Sequence, residues 1–268
     1  MTEPALPASH PLSDDDAALR ARVAAGFPAV RDDLAALVRI AGISSPAFDP
    51  AEVQRSAEAV ADLLRSAGLS DVRILTATRA DGLVSRPAVV GRREAPPGAP
   101  TVLLYAHHDV QPPGLDDAWG TPPFEPTERD DRMFGRGSAD DKAGIVAHVG
   151  ALRALGDDVA VGVTVFVEGE EEVGSPTFLD FLRAHRDLLA ADLVVLADAV
   201  NWKVGVPGLT TSLRGLVDCT VEVAVLEHAV HSGMFGGPIL DAPTLLARLI
   251  ATLHDDDGAV AVLRSVLA

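Results

Sequence analysis

The sequence contains few cysteines and few lysines, and both shortages narrow the classes of protein that it can encode. Cys219 is the single cysteine among the 268 residues, so an internal disulfide is excluded and the cysteine content suits the reducing cytosol. The lysines are Lys142 and Lys203, and the formal net charge is −17. Nucleic-acid binding requires a basic surface. The acidic composition therefore predicts that the chain binds no nucleic acid.

Long apolar runs and aromatic residues are also scarce. No uncharged apolar run of about 18 residues occurs, so we expect no membrane span. The first residues combine prolines with acidic residues and lack the basic and apolar regions of a secretory signal, which makes the cytoplasm the expected location. Hydrophobic residues make up 48% of the chain but aromatic residues only 4%. We therefore expect a soluble α/β protein with a core mainly of Ala, Val and Leu.

Hydrophobic periodicity predicts helices around a sheet. Ser13 is the expected N-cap of a helix that runs to about Ile40 and breaks or kinks at Pro28. Asp49 begins a second predicted helix, which runs to Ala67. Short apolar runs bounded by turn residues predict strands at 72–77, 83–90, 101–106, 159–167 and 192–198. The composition of the last three is typical of parallel strands buried on both faces.

The strand at 101–106 leads directly into His107, His108 and Asp109. Open α/β sheets carry their chemistry at the carboxyl ends of the strands, and imidazole and carboxylate groups are ligands for zinc or a similar transition metal. Because side chains alternate along a strand, His107 and Asp109 point to the same side. Asp109 can then accept a hydrogen bond from the far nitrogen of His107. The alternative is a pair of surface histidines after a core strand.

Carboxylates also lie at other predicted element ends. They are Asp140 and Asp141 before a helix, Glu170, Glu171 and Glu172 after strand 159–167, and Asp198 at the end of strand 192–198. A helix cap explains one of the two aspartates, and a solvated loop would explain the glutamates. The carboxyl ends of parallel strands share one edge, however, and so many carboxylates there would repel one another. One or two divalent cations would resolve the conflict.

Four segments together resemble a known family. They read Tyr-Ala-His-His-Asp-Val-Gln-Pro from position 105, Pro-Pro-Phe-Glu-Pro from position 122 shortly after Trp119, Gly-Arg-Gly-Ser-Ala-Asp-Asp-Lys from position 135, and Glu-Gly-Glu-Glu-Glu-Val-Gly-Ser from position 168. In this order and spacing they are similar to the co-catalytic di-zinc metallopeptidases. That family includes carnosinase-like dipeptidases, peptidase T, aminoacylase, acetylornithine deacetylase, succinyl-diaminopimelate desuccinylase and glutamate carboxypeptidase. The segments are nearest the dipeptidase branch.

The resemblance implies a zinc-exopeptidase-like α/β fold, in which a mostly parallel sheet flanked by helices is interrupted by an α+β lid that often dimerises. On this basis we expect residues 1–212 to form the catalytic domain and residues 213–268 to begin the lid, with a strand at 215–226. The family's pattern continues beyond the lid and includes a terminal histidine ligand. The sequence through Ala268 offers no replacement for that histidine.

The resemblance also implies two zinc ions (Zn2+) in the complete site, with cobalt or manganese as alternatives. His107 and Asp198 would bind one ion and Glu172 would bind the other. Asp140 would bridge the two.

The catalytic roles are implied in the same way. Asp109 would orient His107, and Glu171 would be the general base, with Glu170 as the alternative in register. His231, in a His-Ser-Gly segment, would reach the site of the partner subunit in a homodimer and stabilise the oxyanion that develops there.

The implied reaction is hydrolysis of the peptide bond of a dipeptide or small peptide. Deacylation of an N-acyl amino acid by the same metal site is an alternative. A third hypothesis is a non-catalytic remnant that binds metal or dimerises.

Overall fold

The computed structural model describes residues 13–216 and 218–261, which form two compact units that divide between Gly208 and Leu209. In the described part of the first unit, two helices precede a run of five strands, and helices and strands alternate only after that run. Its helices are α1 (Asp14–Val38), α2 (Pro50–Ser66), α3 (Lys142–Leu155), α4 (Phe178–Ala184) and α5 (Arg186–Leu189). Its strands are β1 (Asp71–Leu75), β2 (Ala88–Arg93), β3 (Thr101–His107), β4 (Thr127–Arg129), β5 (Arg132–Phe134), β6 (Gly162–Glu168) and β7 (Leu193–Leu196).

Five strands form the central sheet in the order β1-β2-β6-β3-β7. Strand β3 is parallel to both β6 and β7, whereas β2 is antiparallel to β1 and β6. The carboxyl ends of β6, β3 and β7 therefore lie at one edge of the sheet, as the sequence predicted. The predicted α/β class is confirmed.

Each face of the sheet has its own apolar core. Residues of α1, α2 and α3, such as Val60 and Ile145, pack with Val165 of β6 on one face. On the other face Phe166 stacks on Phe181 of α4, with 5.2 Å between ring centroids. Burying a phenylalanine side chain contributes about 1.5–3 kcal/mol to the free energy of unfolding. The aromatic residues, although few, therefore stabilise this face of the sheet.

Helix α1 continues through Pro28, so of the predicted break or kink the break does not occur. Ser13 caps its start, since its side chain accepts a hydrogen bond from the main-chain N–H of Asp16. The half of the helix after Pro28 packs against the core through Val30 and Leu34. Tertiary packing therefore outweighs the unfavourable effect of proline inside a helix.

Strand β2 lies later in the sequence than the predicted strand 83–90, and it includes Gly91, which lies just beyond that prediction. A Cβ atom at Gly91 would lie 2.8 Å from Cδ1 of Leu69 and 3.1 Å from Cδ1 of Leu64. The glycine therefore serves the close approach of α2 and its following turn to the strand.

The prediction that the strand at 192–198 is buried on both faces is wrong for β7. Within the described residues it is the edge strand of the sheet, and its side chains range from 40% exposed for Val195 to 61% for Leu196. The segment between β3 and α3 contains a 3-10 turn at Asp116–Ala118 and the hairpin of β4 and β5.

The second unit contains helices α6 (Ser232–Phe235) and α7 (Ala242–Ala251). The described residues of segment 215–226 form no strand, so the strand predicted there is wrong. An alternating pattern forms a stable strand only beside a pairing partner. Among the helices of the described ranges, none is long and apolar enough to cross a bilayer.

Candidate metal centre

The candidate site lies at the carboxyl edge of the parallel strands. His107 is the last residue of β3 and pairs in register with Glu168, the last residue of β6. The side chain of His107 is completely buried. The segments that follow β6 and β7, and the one that precedes α3, surround it with carboxylates.

The two ring nitrogens of His107 face different groups. Nδ1 lies 3.1 Å from the main-chain O of Asp109 and 3.4 Å from Oδ1 of that residue. Nε2 lies 3.0 Å from Oδ1 of Asp140. It also lies 3.9 Å from Oε2 of Glu171 and from Oδ2 of Asp198. With Nδ1 directed at Asp109, Nε2 is the nitrogen available to a metal ion among the acids.

Asp109 is completely buried and contacts two parts of the site. Besides facing His107, its Oδ1 accepts a hydrogen bond from the N–H of Glu171 at 3.2 Å, and its Oδ2 accepts one from the N–H of Glu172 at 3.1 Å. The sequence predicted the first contact but not the second. Asp109 therefore links the end of β3 to the turn that carries the glutamates.

Asp140 and Asp141 differ in exposure and in contacts. The side chain of Asp140 is 69% exposed, whereas Asp141 is buried and its Oδ2 accepts a hydrogen bond from the N–H of His107 at 3.1 Å. Asp141 occupies the N-cap position of α3 without a side-chain capping bond. Capping therefore does not explain this residue.

Glu170 faces away from the cluster. Its buried carboxylate accepts hydrogen bonds from the N–H of Arg86 at 3.0 Å and from the N–H of Thr177 at 2.9 Å. Glu171 and Glu172 lie in the 3-10 turn that follows. Two predictions of the general base were open, Glu171 and Glu170. Because the carboxylate of Glu170 is engaged outside the cluster, the geometry favours Glu171.

His108 is a core histidine. It is completely buried, and its Nε2 donates a hydrogen bond to the main-chain O of Pro87 at 2.8 Å. Burial lowers its pKa to about 4, so the ring is neutral near pH 7. A Cβ at Gly169 would lie 2.8 Å from this Nε2, so the glycine allows the segment after β6 to pass close to the ring.

Burial and neighbouring carboxylates both shift the pKa values of the site. Burial alone would lower the pKa of His107, but the hydrogen bond to Asp109 and the surrounding negative charges raise it to about 10. Burial raises the pKa of Asp141 to about 7 and also raises the pKa values of Glu171 and Glu172. A divalent cation would neutralise this charge.

Two groups of side chains have ligand atoms that could share an ion. His107, Asp141 and Asp198 form one group, and His107, Asp140 and Glu172 form the other, with the ligand atoms of each group within 4.8 Å of one another. Imidazole nitrogens and carboxylate oxygens are donors that zinc uses. Both groups use His107, and its Nε2 can bind only one ion, so the residues present fit a divalent metal ion at His107.

The sequence assigned no role to two residues of this region. Asp141 belongs to a ligand group, and Gln111 contacts the carboxylate of Glu172. Both lie inside segments that resemble the metallopeptidase family, and this position was the only indication in the sequence of a role in the site. His231 belongs to the second unit, where it is exposed and precedes α6, and its role stays a prediction.

Comparisons with known proteins agree with the geometry. Peptidase family M20/M25/M40 matches residues 103–258. A cysteinylglycine-S-conjugate dipeptidase from Corynebacterium striatum is 36% identical over 212 residues, which cover 78% of this chain and 45% of that protein. A beta-Ala-His dipeptidase from Mus musculus is 33% identical over 211 residues, which cover 75% and 43%.

A solved structure shows the same fold. The di-peptidase Dug1p from Saccharomyces cerevisiae superposes with a TM-score of 0.69 at 21% identity, covering 91% of this chain and 54% of that one. The chain spans about half the length of the curated relatives that it matches.

Proposed function

The chain belongs to peptidase family M20/M25/M40, and from this premise we propose that it carries the metal centre of a hydrolase that cleaves dipeptides or small peptides. The observation that carries the proposal is the pair of ligand groups that share His107 at the edge of the sheet. His107 and Asp198 would hold one zinc ion, Glu172 would hold the other, and Asp140 would bridge them. Asp141, beside His107 and Asp198, would complete the surroundings of the first ion.

Zinc, when bound, would supply a Lewis acid for the scissile carbonyl and a lowered pKa for the attacking water. Glu171 would take a proton from that water and return it to the nitrogen of the leaving amine. Burial and negative neighbours raise the pKa of Glu171, which moves this carboxyl toward the range in which a general base also acts as an acid. Asp109 would hold His107 in the ring orientation that presents Nε2.

We also propose a role for the second unit and a location for the protein. We place the beginning of a lid at 213 and a homodimer through that lid, with His231 reaching the partner subunit's site, and we place the protein in the cytoplasm. Light scattering of the purified protein tests the dimer. A monomer at micromolar concentration with full activity would reject it.

The function is tested by turnover of a substrate panel with and without added zinc. The panel contains Cys-Gly, β-Ala-His and other dipeptides together with N-acyl amino acids. We expect zinc-dependent cleavage of dipeptides that is abolished by a chelator. Faster turnover of N-acyl amino acids would support the deacylase alternative, and zinc binding without any turnover would support the non-catalytic one.

A further inference from the structure

Glu171 and Glu172 are adjacent in the sequence, but their carboxylates have different surroundings. Gln111 lies four residues beyond the end of β3. Its main-chain N–H donates to Oε1 of Glu172 at 3.2 Å, and its side-chain Nε2 donates to Oε2 at 3.0 Å and to the main-chain O of Glu172 at 2.6 Å. Within residues 13–216 and 218–261, no hydrogen bond to the carboxylate of Glu171 is present, and its Oε2 lies 3.9 Å from Nε2 of His107.

We propose that Gln111 is a positioning residue that fixes Glu172 as a metal-facing carboxylate while Glu171 stays free to transfer a proton. The proposal rests on the proposed function, because it assigns the roles of two residues in that site. Gln111 would not touch the substrate or the ions. It would act through Glu172 alone.

The geometry of the three contacts supports this role. Both groups of Gln111 that face the carboxylate are N–H donors, so both oxygens of Glu172 act as acceptors. The carboxamide also bonds to the main chain of the same residue, and the side chain of Glu172 is thereby fixed relative to its own backbone. A free glutamate would have to lose that rotational freedom when it bound an ion.

Neighbouring contacts fix the turn itself. The carboxylate of Asp109 accepts the N–H groups of Glu171 and Glu172, and the carboxylate of Glu170 is engaged by Arg86 and Thr177. The backbone of the turn therefore has contacts that do not depend on Gln111. Besides its one bond to the main-chain O of Glu172, Gln111 adds the direction of the Glu172 side chain.

Gln111 can be replaced without disturbing the core, because it is exposed. Gln111→Met keeps the length of the side chain, removes its N–H donors and leaves the main-chain donor in place. Gln54→Met is a matched control, since Nε2 of Gln54 donates to Oε1 of Glu58 at 2.9 Å on the exposed surface of α2. Gln111→Asn is a second variant, whose amide is one methylene shorter and no longer reaches Glu172.

The test measures stepwise zinc dissociation constants of the purified proteins by chelator competition, with thermal unfolding as a check on folding. We expect Gln111→Met and Gln111→Asn to weaken one of the two zinc sites by about 10-fold to 100-fold, the effect typical of losing a partner that orients a ligand. Gln54→Met should stay within about twofold of the wild type. At saturating zinc, the kcat of the Gln111 variants should return toward the wild-type value, although their zinc affinity remains lower.

Two failures are distinguishable. Zinc affinity that is unchanged in both Gln111 variants, or lowered equally by Gln54→Met, overturns the positioning role and leaves the proposed function standing. A wild-type protein that binds zinc but cleaves no substrate of the panel rejects the proposed function instead, while the difference in affinity can still be measured.

Discussion

Neighbouring acidic residues in this chain are distinguished by their hydrogen-bond partners. Glu170 is engaged by two main-chain N–H groups, Glu172 by Gln111, and Glu171 is left facing His107. The sequence predicted that Glu171 and Glu172 act as a pair, because the run of glutamates follows a buried strand and resembles a family motif. It could not predict the contact with Gln111, which joins segments that are 61 positions apart.

Replacing the proposed general base tests its role separately from metal binding. Glu171→Gln keeps the shape of the side chain but cannot accept a proton, so we expect zinc content to be unchanged and kcat to fall by about 100-fold or more. Metal analysis and dipeptide turnover measure the two quantities. Glu94→Gln, an exposed change of the same type, is the control. Retained turnover in Glu171→Gln would contradict the assignment.

The proposed bridge makes a different prediction. Asp140→Asn removes the negative charge that the two ions would share, so the occupancy of both zinc sites should fall rather than that of one. Zinc content after dialysis against a weak chelator measures the effect. Two equivalents of zinc retained by Asp140→Asn would show that Asp140 is not the bridge.

A buried histidine outside the metal centre gives a pH prediction. Nε2 of His148 donates to the main-chain O of Tyr105 at 2.9 Å, and burial lowers the pKa of this residue. Below about pH 6.5 the unfolded chain therefore binds this proton more readily than the folded protein does. Stability should fall as the pH falls below that value, by at most about 1.4 kcal/mol per pH unit.

His148→Gln keeps a donor at this position but does not titrate. Urea unfolding between pH 7 and pH 5 should therefore show a smaller loss of stability in this variant than in the wild type. His228→Gln, in which an exposed histidine is replaced, serves as the control. An identical pH dependence in all three proteins would refute the role of His148.

Lys142, to which the sequence assigned no role, connects helix α1 to the start of helix α3 beside the site. Lys142, the first residue of α3, is completely buried, and its Nζ donates to the main-chain O of Leu37 at 2.8 Å and of Ile40 at 2.7 Å. The last turn of α1 has no basic residue of its own. A cation from α3 therefore interacts with the carbonyl end of α1 and ties that helix to the segment that carries Asp140.

Lys142→Met tests this link between the helices. The methionine fills similar space but leaves the two carbonyl groups without their donor, and each unsatisfied buried acceptor costs about 1–3 kcal/mol. Burial lowers the pKa of Lys142 to about 7, so part of this loss is offset by relief of the buried charge. We expect a net loss of about 1–3 kcal/mol in urea unfolding relative to the wild type. Equal stabilities would contradict the link.

Helix and strand boundaries are predicted well where a local signal sets them and poorly where distant contacts do. The start of α2 follows from a local signal, since the side chain of Asp49 accepts a hydrogen bond from the N–H of Ala51. Pro28 and Gly91 carry local signals for a break and a turn, but packing against distant side chains outweighs both. Strand pairing also depends on partners elsewhere in the chain, which is why β2 lies later than predicted.

At the scale of the whole molecule, the sheet edge could be predicted because parallel strands place their ends together. His107, at the end of β3, and Asp198, after β7, are brought within 3.9 Å by that topology. Burial of β7 could not be predicted in the same way. An apolar strand is buried only if other elements cover it, and its sequence does not specify them.

The central claim is that these distant residues hold a pair of divalent ions, and anomalous scattering at the zinc edge from crystals grown with zinc tests it most directly. We expect two peaks about 3.5–4 Å apart. One should lie about 2.0–2.2 Å from His107 and Asp198 and the other at that distance from Glu172, with Asp140 between them. Crystals saturated with zinc that show fewer than two anomalous peaks among these four side chains would contradict the claim.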